Sequence, residues 1–123
     1  MRRWLLLVTL VGCDGLHHIR GNAASASTGA GLARVVIVAW PGDVCDPPNK
    51  PPILSAITYN DGTFEESFVG PPHPIGPLAV RFFVWEYEKE CMVATPIPCA
   101  RPDYFNTCYK VHALLRPKLP PSQ

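Results

Sequence analysis

The chain has 123 residues, of which 17% are charged, and its formal net charge is +1 at pH 7. So neutral a chain has no electrostatic basis for binding nucleic acid, and nucleic acid is excluded as an expected partner. The length predicts one domain. A domain of roughly 90 residues buries only about 60–65% of its unfolded surface, so cross-links would contribute to its stability.

The first twelve residues have the pattern of an export signal. Arg2 and Arg3 precede an uncharged run, WLLLVTLVG, at positions 4–12. Nine helical residues extend about 14 Å, roughly half the thickness of a bilayer core of about 30 Å. The run is therefore too short for a spanning helix, but it fits the apolar part of a signal peptide, about 7–15 residues. We predict a signal peptide over 1–12, with a buried core helix as the alternative.

The apolar run ends in Leu10-Val11-Gly12-Cys13, which resembles the lipobox of bacterial lipoproteins. The resemblance implies cleavage before Cys13, a lipid on its thiol, and the membrane as a partner through that lipid. Several acyl chains on one residue anchor a protein stably, since each buried CH₂ contributes about 0.8 kcal/mol. The expected location is a bacterial cell membrane or outer membrane, with the domain in the periplasm or at the cell surface.

A second processing site remains open, because Ala24-Ser25-Ala26 has the A-x-A form of ordinary secretion. The segment around it is rich in Gly, Ala, Ser and Thr and shows no apolar period. Such a composition is typical of flexible coil, so residues 13–33 are predicted to form a tether. His17 and His18 lie in this tether and are expected to be solvated.

Four cysteines follow Cys13, at positions 45, 91, 99 and 108. An even set in an oxidising compartment predicts two disulfides, each contributing roughly 2–4 kcal/mol. Four Cys allow three pairings. We favour Cys45 with one of the later three, because the other two then close a local loop within 91–108. Cys91–Cys99 is one such local pair.

A metal site is the alternative use of these thiols, with ligands from Cys91, Cys99, Cys108 and His112. Zinc sites usually contain closely spaced Cys pairs. Here seven and eight residues separate the successive cysteines, and only Cys108 and His112 are close in sequence. We therefore expect no metal and no other cofactor.

The rest of the chain reads as short strands separated by Pro- and Gly-rich loops. No stretch shows an extended 3.6-residue period. Of the 123 residues, 15 are Pro, more than twice the usual share of about 5%. An all-β sandwich is predicted over 34–117, followed by a disordered tail, 118–123. The predicted strands span 34–40, 53–59, 63–69, 78–87, 91–95 and 107–115.

Two of these strands carry more detailed predictions. Leu78, Val80 and Phe82 alternate along their strand and are expected to face the core. The strand over 63–69 contains several polar residues and is expected to be short or at an edge. Asp61-Gly62 lies between two β-prone runs, which is typical of a β-hairpin.

The residues Thr58–Phe64, TYNDGTF, and the following PLAVRF at 77–82 resemble the carboxypeptidase regulatory-like, or transthyretin-like, domain. The resemblance covers about half of the predicted domain. It implies a small immunoglobulin-like (prealbumin-like) antiparallel sandwich, here stapled by disulfides. It also implies a domain without catalytic residues of its own.

No G-x-S-x-G, H-E-x-x-H or P-loop spacing is present, so no catalytic residue is assigned. Tyr and Trp are favoured at binding surfaces, and five aromatics exceed the needs of one small core. The candidate binding surface comprises Trp40, Trp85, Tyr87, Tyr104 and Phe105.

These observations favour a non-catalytic cell-envelope lipoprotein that binds another envelope protein or a surface polymer, or that acts as a spacer. The alternative is a secreted metal-handling protein or a small enzyme. That alternative uses His112 and the C-terminal Cys cluster.

Overall fold

A computed structural model describes residues 14–119. The predicted signal peptide, the lipid site at Cys13 and residues 120–123 of the tail lie outside the described residues. Between residues 14 and 119 no helix is long and apolar enough to cross a membrane. The described chain forms eight strands: β1 Gly15–Ser25, β2 Val36–Pro41, β3 Leu54–Ile57, β4 Thr63–Gly70, β5 Leu78–Phe83, β6 Glu90–Ala94, β7 Pro96–Ile97 and β8 Thr107–Leu115.

The strands form two four-stranded sheets, which confirms the predicted all-β sandwich. Sheet A has the order β4-β1-β8-β7, and sheet B has the order β3-β2-β5-β6. Every pair is antiparallel except β1 and β8, which run parallel from His17 beside Thr107 to Ser25 beside Leu115. The sandwich is therefore antiparallel, as predicted, apart from this one parallel pair. A parallel pair requires a long crossover, and here most of the domain lies between the two strands.

The core lies between the sheets and is built from alternate residues of each strand. Leu78, Val80 and Phe82 of β5 are fully buried, as their alternation predicts. Strand β4 is an edge strand, as expected, and contributes Phe64 and Phe68 to the core. Each fully buried large apolar side chain contributes roughly 1.5–3 kcal/mol, so this alternation supplies most of the force that holds the sheets together.

The predicted tether over 13–33 is wrong for its first half, because residues 15–25 form β1 inside sheet A. Ile19 and Ala23 are fully buried, and β1 pairs with both β4 and β8. At Gly21 a Cβ would lie 1.9 Å from the carbonyl oxygen of Val111, so close packing selects glycine there. The small residues that resemble a linker are the ones that allow this strand to pack tightly.

The predicted hairpin around Asp61-Gly62 is also corrected. The turn exists: the Tyr59 amide donates to the Thr63 carbonyl at 2.8 Å, and Gly62 has φ of 87°. The flanking strands, however, lie in different sheets, β3 in sheet B and β4 in sheet A. A Cβ at Gly62 would lie 2.5 Å from the carbonyl oxygen of Ala23, so the turn packs against the end of β1. It transfers the chain between sheets and does not close a hairpin.

Two disulfides are present, as predicted: Cys45–Cys91 and Cys99–Cys108. The preference for pairing Cys45 with a later cysteine is confirmed, whereas the local pair Cys91–Cys99 is wrong. The reason is topological. Cys91 lies in β6 of sheet B, while Cys108 lies in β8 of sheet A, next to the loop that carries Cys99.

Candidate functional site

A groove with a volume of about 480 Å³ crosses the outer face of sheet A. We name it the sheet A groove. Its floor comes from β1, β4 and β8, and its wall comes from β7 and the loop that follows, over 98–106. A volume of this size fits a small organic molecule. The lining residues that carry the argument are His18, Arg20, Glu65, Arg101 and Phe105.

The strand register places the polar floor residues on one face. His18 lies opposite Ser67, and Arg20 lies opposite Glu65, across the antiparallel pair β1–β4. Residues two apart in a strand point to the same side, about 6.7 Å from each other. The intervening Ile19 is fully buried in the core. The alternation of β1 therefore turns its polar side chains into the groove.

The wall is held in place by covalent and polar contacts. Cys99–Cys108 ties the loop to β8. Asn106 accepts a hydrogen bond from the Leu16 amide through its side chain at 3.1 Å and donates from its own amide to the Leu16 carbonyl at 2.8 Å. These contacts fix Phe105, whose ring centroid lies 4.9 Å from that of His18.

His18 and Glu65 form the chemically distinctive pair of the groove. Nε2 of His18 lies 2.8 Å from Oε1 of Glu65, and the His18 side chain is only 16% exposed. With Nε2–H donating to the carboxylate, Nδ1 of the neutral ring carries the lone pair. A carboxylate that orients an imidazole in this way prepares its other nitrogen to accept a proton.

His17, the neighbour of His18, faces the opposite side of β1 and is fully buried. Burial lowers the pKa of His17 below its usual value. Its Nε2–H donates to the Pro71 carbonyl at 3.0 Å, so its Nδ1 accepts the Thr107 hydroxyl at 2.8 Å. Both ring nitrogens are occupied by these structural hydrogen bonds, and His17 stabilises the loop end of the sandwich.

Tyr109 is a second buried polar side chain near the groove. Burial raises the pKa of its phenol to about 12. Its hydroxyl donates to the Gly76 carbonyl at 2.6 Å. Tyr109 therefore stays protonated and joins β8 to the loop over 71–77.

The structure separates the five aromatics of the predicted binding surface. Trp40 is buried under Arg81 on the outer face of sheet B, and Trp85 is 79% exposed in the turn between β5 and β6. Tyr87 is half-buried against the core. Tyr104 and Phe105 are adjacent, with ring centroids 4.9 Å apart, and Phe105 lines the sheet A groove.

The predicted alternative site on His112 and the C-terminal cysteines is not assembled. Cys91, Cys99 and Cys108 are all oxidised to disulfides, so none supplies a thiolate ligand. His112 is exposed and hydrogen-bonds through Nδ1 to the Asn22 side chain. Within residues 14–119 no group of three or more His, Cys, Asp and Glu side chains is placed to hold a metal ion.

Sequence reasoning missed His18, Arg20 and Glu65 as members of one site. A signal was present, because His18, Arg20 and Asn22 alternate with the apolar or small residues of β1. The partner strand, however, lies more than forty residues away in the chain. The pairing of Arg20 with Glu65 depends on that register, which alternation within one strand does not specify.

Comparisons with known proteins find a shared fold among solved structures and no match elsewhere. No family model and no curated protein matches the chain. Among solved structures, catechol 1,2-dioxygenase from Pseudomonas arvilla C-1 is similar with a TM-score of 0.59 and 9% identity, over 88% of this chain and 54% of that one. Hydroxyquinol 1,2-dioxygenase from Pseudomonas putida DLL-E4 is similar with a TM-score of 0.55 and 12% identity, over 85% and 57%.

A third similar structure is 3-chlorocatechol 1,2-dioxygenase from Rhodococcus opacus 1CP, with a TM-score of 0.54 and 14% identity, over 85% of this chain and 61% of that one. The chain thus spans little more than half the length of these enzymes. At identities this low, the similarity shows a shared fold alone.

This likeness corrects the expected function. The expectation of a non-catalytic binding or structural module rested on a sandwich type that implies no catalytic residues of its own. The sandwich shares its fold with several 1,2-dioxygenases. The enzyme half of the alternative is therefore favoured over the non-catalytic interpretation, although the His112 and cysteine site on which that alternative relied is absent.

Proposed function

We propose that the chain is an exported enzyme that binds a small hydroxylated aromatic compound in the sheet A groove and removes a proton from its hydroxyl group. The observation that carries this proposal is the His18–Glu65 pair, 2.8 Å apart, with the Phe105 ring against the imidazole. It provides a base, a group that orients the base, and an aromatic surface at one place.

The groove offers two kinds of contact to such a compound. Ile97, Pro98 and Phe105 supply an apolar wall, while Arg20 and Arg101 supply positive charge. An aromatic ring packs against the wall, and a phenolate is stabilised by the guanidinium groups. The similar solved structures are named for catechol, chlorocatechol and hydroxyquinol, which are all hydroxylated rings. The chemistry of the groove is compatible with the same substrate class.

The proton transfer follows from the placement of the side chains. Nδ1 of His18 accepts the hydroxyl proton, while Nε2–H remains bonded to Glu65. The imidazolium that forms is stabilised by the adjacent carboxylate, and the phenolate that forms is stabilised by Arg20 and Arg101. The product of this step is an ionised, electron-rich ring.

The position of β1 bears on where an export signal would be cleaved. Cleavage after Ala26 would remove residues 15–25, an internal strand of sheet A that contains the fully buried Ile19 and Ala23. This favours removal of the apolar run before Gly15, in keeping with the proposed cleavage before Cys13. The two disulfides also suit an oxidising compartment. A lipid on Cys13 would leave Asp14 alone between the anchor and β1.

The proton transfer is tested with 4-nitrocatechol, whose absorption changes when its hydroxyl ionises. We expect the bound probe to show the ionised spectrum at a pH where the free probe is largely protonated. His18→Gln is expected to abolish this spectral shift. His73→Gln, a loop histidine that bonds to the Pro74 carbonyl, is the matched control and is expected to retain it. An unshifted spectrum on the wild-type protein, or an equal shift on His18→Gln, would overturn the proposal.

Processing is tested by the intact mass of the protein extracted from membranes. The expected product lacks residues 1–12, carries lipid on Cys13 and contains two disulfides. A product that begins after Ala26, or one that retains Met1 without lipid, contradicts the proposed export route.

A further inference from the structure

A second cavity, of about 330 Å³, adjoins the sheet A groove on the same face. The two cavities share Arg20 and Glu65 in their linings. We propose that the second cavity binds an anionic tail of the same substrate, so that the substrate is an elongated molecule with a hydroxylated ring at one end and a carboxylate at the other. This inference rests on the proposed function. The additional lining residues are Gly21, Asn22, Thr63, Phe64 and Lys110.

The charge arrangement identifies the ligand class. Arg20 lies beside Lys110 across the parallel pair β1–β8, and both are exposed. Adjacent strands are about 4.8 Å apart, and like charges at directly opposed positions destabilise a sheet. Glu65, on the other side of Arg20, holds His18 with its Oε1. A carboxylate bound between Arg20 and Lys110 would relieve this repulsion.

Polar side chains next to the cations complete the subsite. The Asn22 side-chain oxygen is bonded to Nδ1 of His112. Asn22 lines the cavity, and its amide NH₂ remains available as a donor. Thr63 lies opposite Asn22 on β4, but its hydroxyl donates to the Asp61 carboxylate at 2.6 Å and is not a donor to the ligand. The cavity thus combines the cations Arg20 and Lys110 with the Asn22 side chain and one carboxylate, Glu65, and its excess of positive charge suits a carboxylate ligand.

The register also sets the length of the substrate. Arg20 lies two residues, or about 6.7 Å, along β1 from His18. Lys110 lies directly beside Arg20 on β8. Asn22 lies a further two residues along the strand, about 13 Å from His18 in total. The carboxylate should therefore lie roughly 7–13 Å from the hydroxyl that His18 deprotonates. A catechol with a three-carbon carboxylate side chain has this reach.

Calorimetry on the full folded protein tests the subsite with two ligands. The first is 3-(3,4-dihydroxyphenyl)propanoate, and the second is its neutral methyl amide. We expect the carboxylate to bind about fivefold more tightly, the size of effect typical of a partly exposed ion pair of about 1 kcal/mol. This preference should shrink as salt is added.

Lys110→Gln separates the subsite from the rest of the groove. It should bring the two affinities together while leaving amide binding unchanged. Lys118→Gln, at the opposite end of the sandwich, is the matched control and should keep the fivefold preference. Equal affinities in the wild-type protein, or a preference that survives Lys110→Gln, overturn the subsite alone. If neither ligand binds, the proposed function fails as well.

Discussion

The outer face of each sheet carries a loop held by a disulfide, but the face of sheet B is packed and the face of sheet A is open. On each face a disulfide holds a Pro-rich loop: Cys45–Cys91 on sheet B and Cys99–Cys108 on sheet A. On sheet B, Trp40 is buried under the Arg81 guanidinium, 5.3 Å from the ring centroid, and Asp46 of the loop pairs with Arg81. On sheet A the loop forms one wall of an open groove.

The difference originates in the outward-facing residues of the central strands. Strand β2 turns Val38 and Trp40 outward, and both are buried. Strand β1 turns His18 and Arg20 outward, whose polar groups favour solvent or a ligand. A loop over apolar residues completes a second small core, whereas a loop over polar residues leaves a site. The loop and its disulfide are therefore structural on sheet B, whereas on sheet A they form the wall of a cavity.

The two disulfides should contribute unequally to stability. Cys45–Cys91 spans 46 residues and Cys99–Cys108 spans 9. In the chain-entropy account, loops of these lengths correspond to about 4 and about 2.5 kcal/mol. Replacing each pair with Ser and measuring the free energy of unfolding in denaturant should give costs in that order. Only the variant that lacks Cys99–Cys108, which loses less stability, should also lose 4-nitrocatechol binding. Loss of probe binding in the Cys45–Cys91 variant, and retention in the Cys99–Cys108 variant, would contradict the difference between the two faces.

Truncation of one aromatic on each face should separate packing from binding. Trp40→Ala removes a side chain that is 4% exposed and should cost roughly 3 kcal/mol in unfolding free energy. Phe105→Ala removes a half-exposed side chain and should cost about 1 kcal/mol. The folded fraction of Trp40→Ala should still bind the probe, whereas Phe105→Ala should not bind it. Binding that follows stability in both variants would show that the two faces do not differ in role.

Acid should destabilise the protein through the inner side of β1. The lowered pKa of His17 means that the unfolded chain binds its proton more readily than the folded chain. The stabilising contribution is therefore complete above about pH 6.5 and is lost as the pH falls through the lower folded pKa. Urea midpoints measured between pH 7 and 5 should fall with pH for the wild-type protein and less steeply for His17→Gln. His112→Gln, which alters an exposed histidine on the outer face of sheet A, should retain the wild-type slope, and identical slopes for all three proteins would contradict this assignment.

Much of the sandwich could be predicted because the strands of sheet B and strand β8 show strong local signals. The run at 107–115 matches β8, and the alternation of Leu78, Val80 and Phe82 identifies the core face of β5. Strand β1 escaped prediction because its inward positions carry Gly15, His17 and Gly21 beside two apolar residues. Its burial is set by close backbone approach, which hydrophobic periodicity does not register.

The candidate site was less predictable than the fold. The aromatics that were singled out lie on different faces, since residue type alone does not indicate which side of a sheet a loop covers. His18 and Glu65 meet through a pairing between strands far apart in sequence. The transfer of the chain between sheets at Asp61-Gly62, which resembles a hairpin turn locally, places β4 beside β1 and so creates that pairing.

The most direct test of the account is to map bound 4-nitrocatechol on the protein by amide and imidazole chemical shifts in NMR. The account predicts that the largest changes occur at His18, Arg20, Glu65 and Phe105, and that Trp40 and Arg81 on the opposite face remain unchanged. Changes centred on sheet B, or no site-specific changes at saturating probe, would contradict the claim that the outer face of sheet A is the functional site.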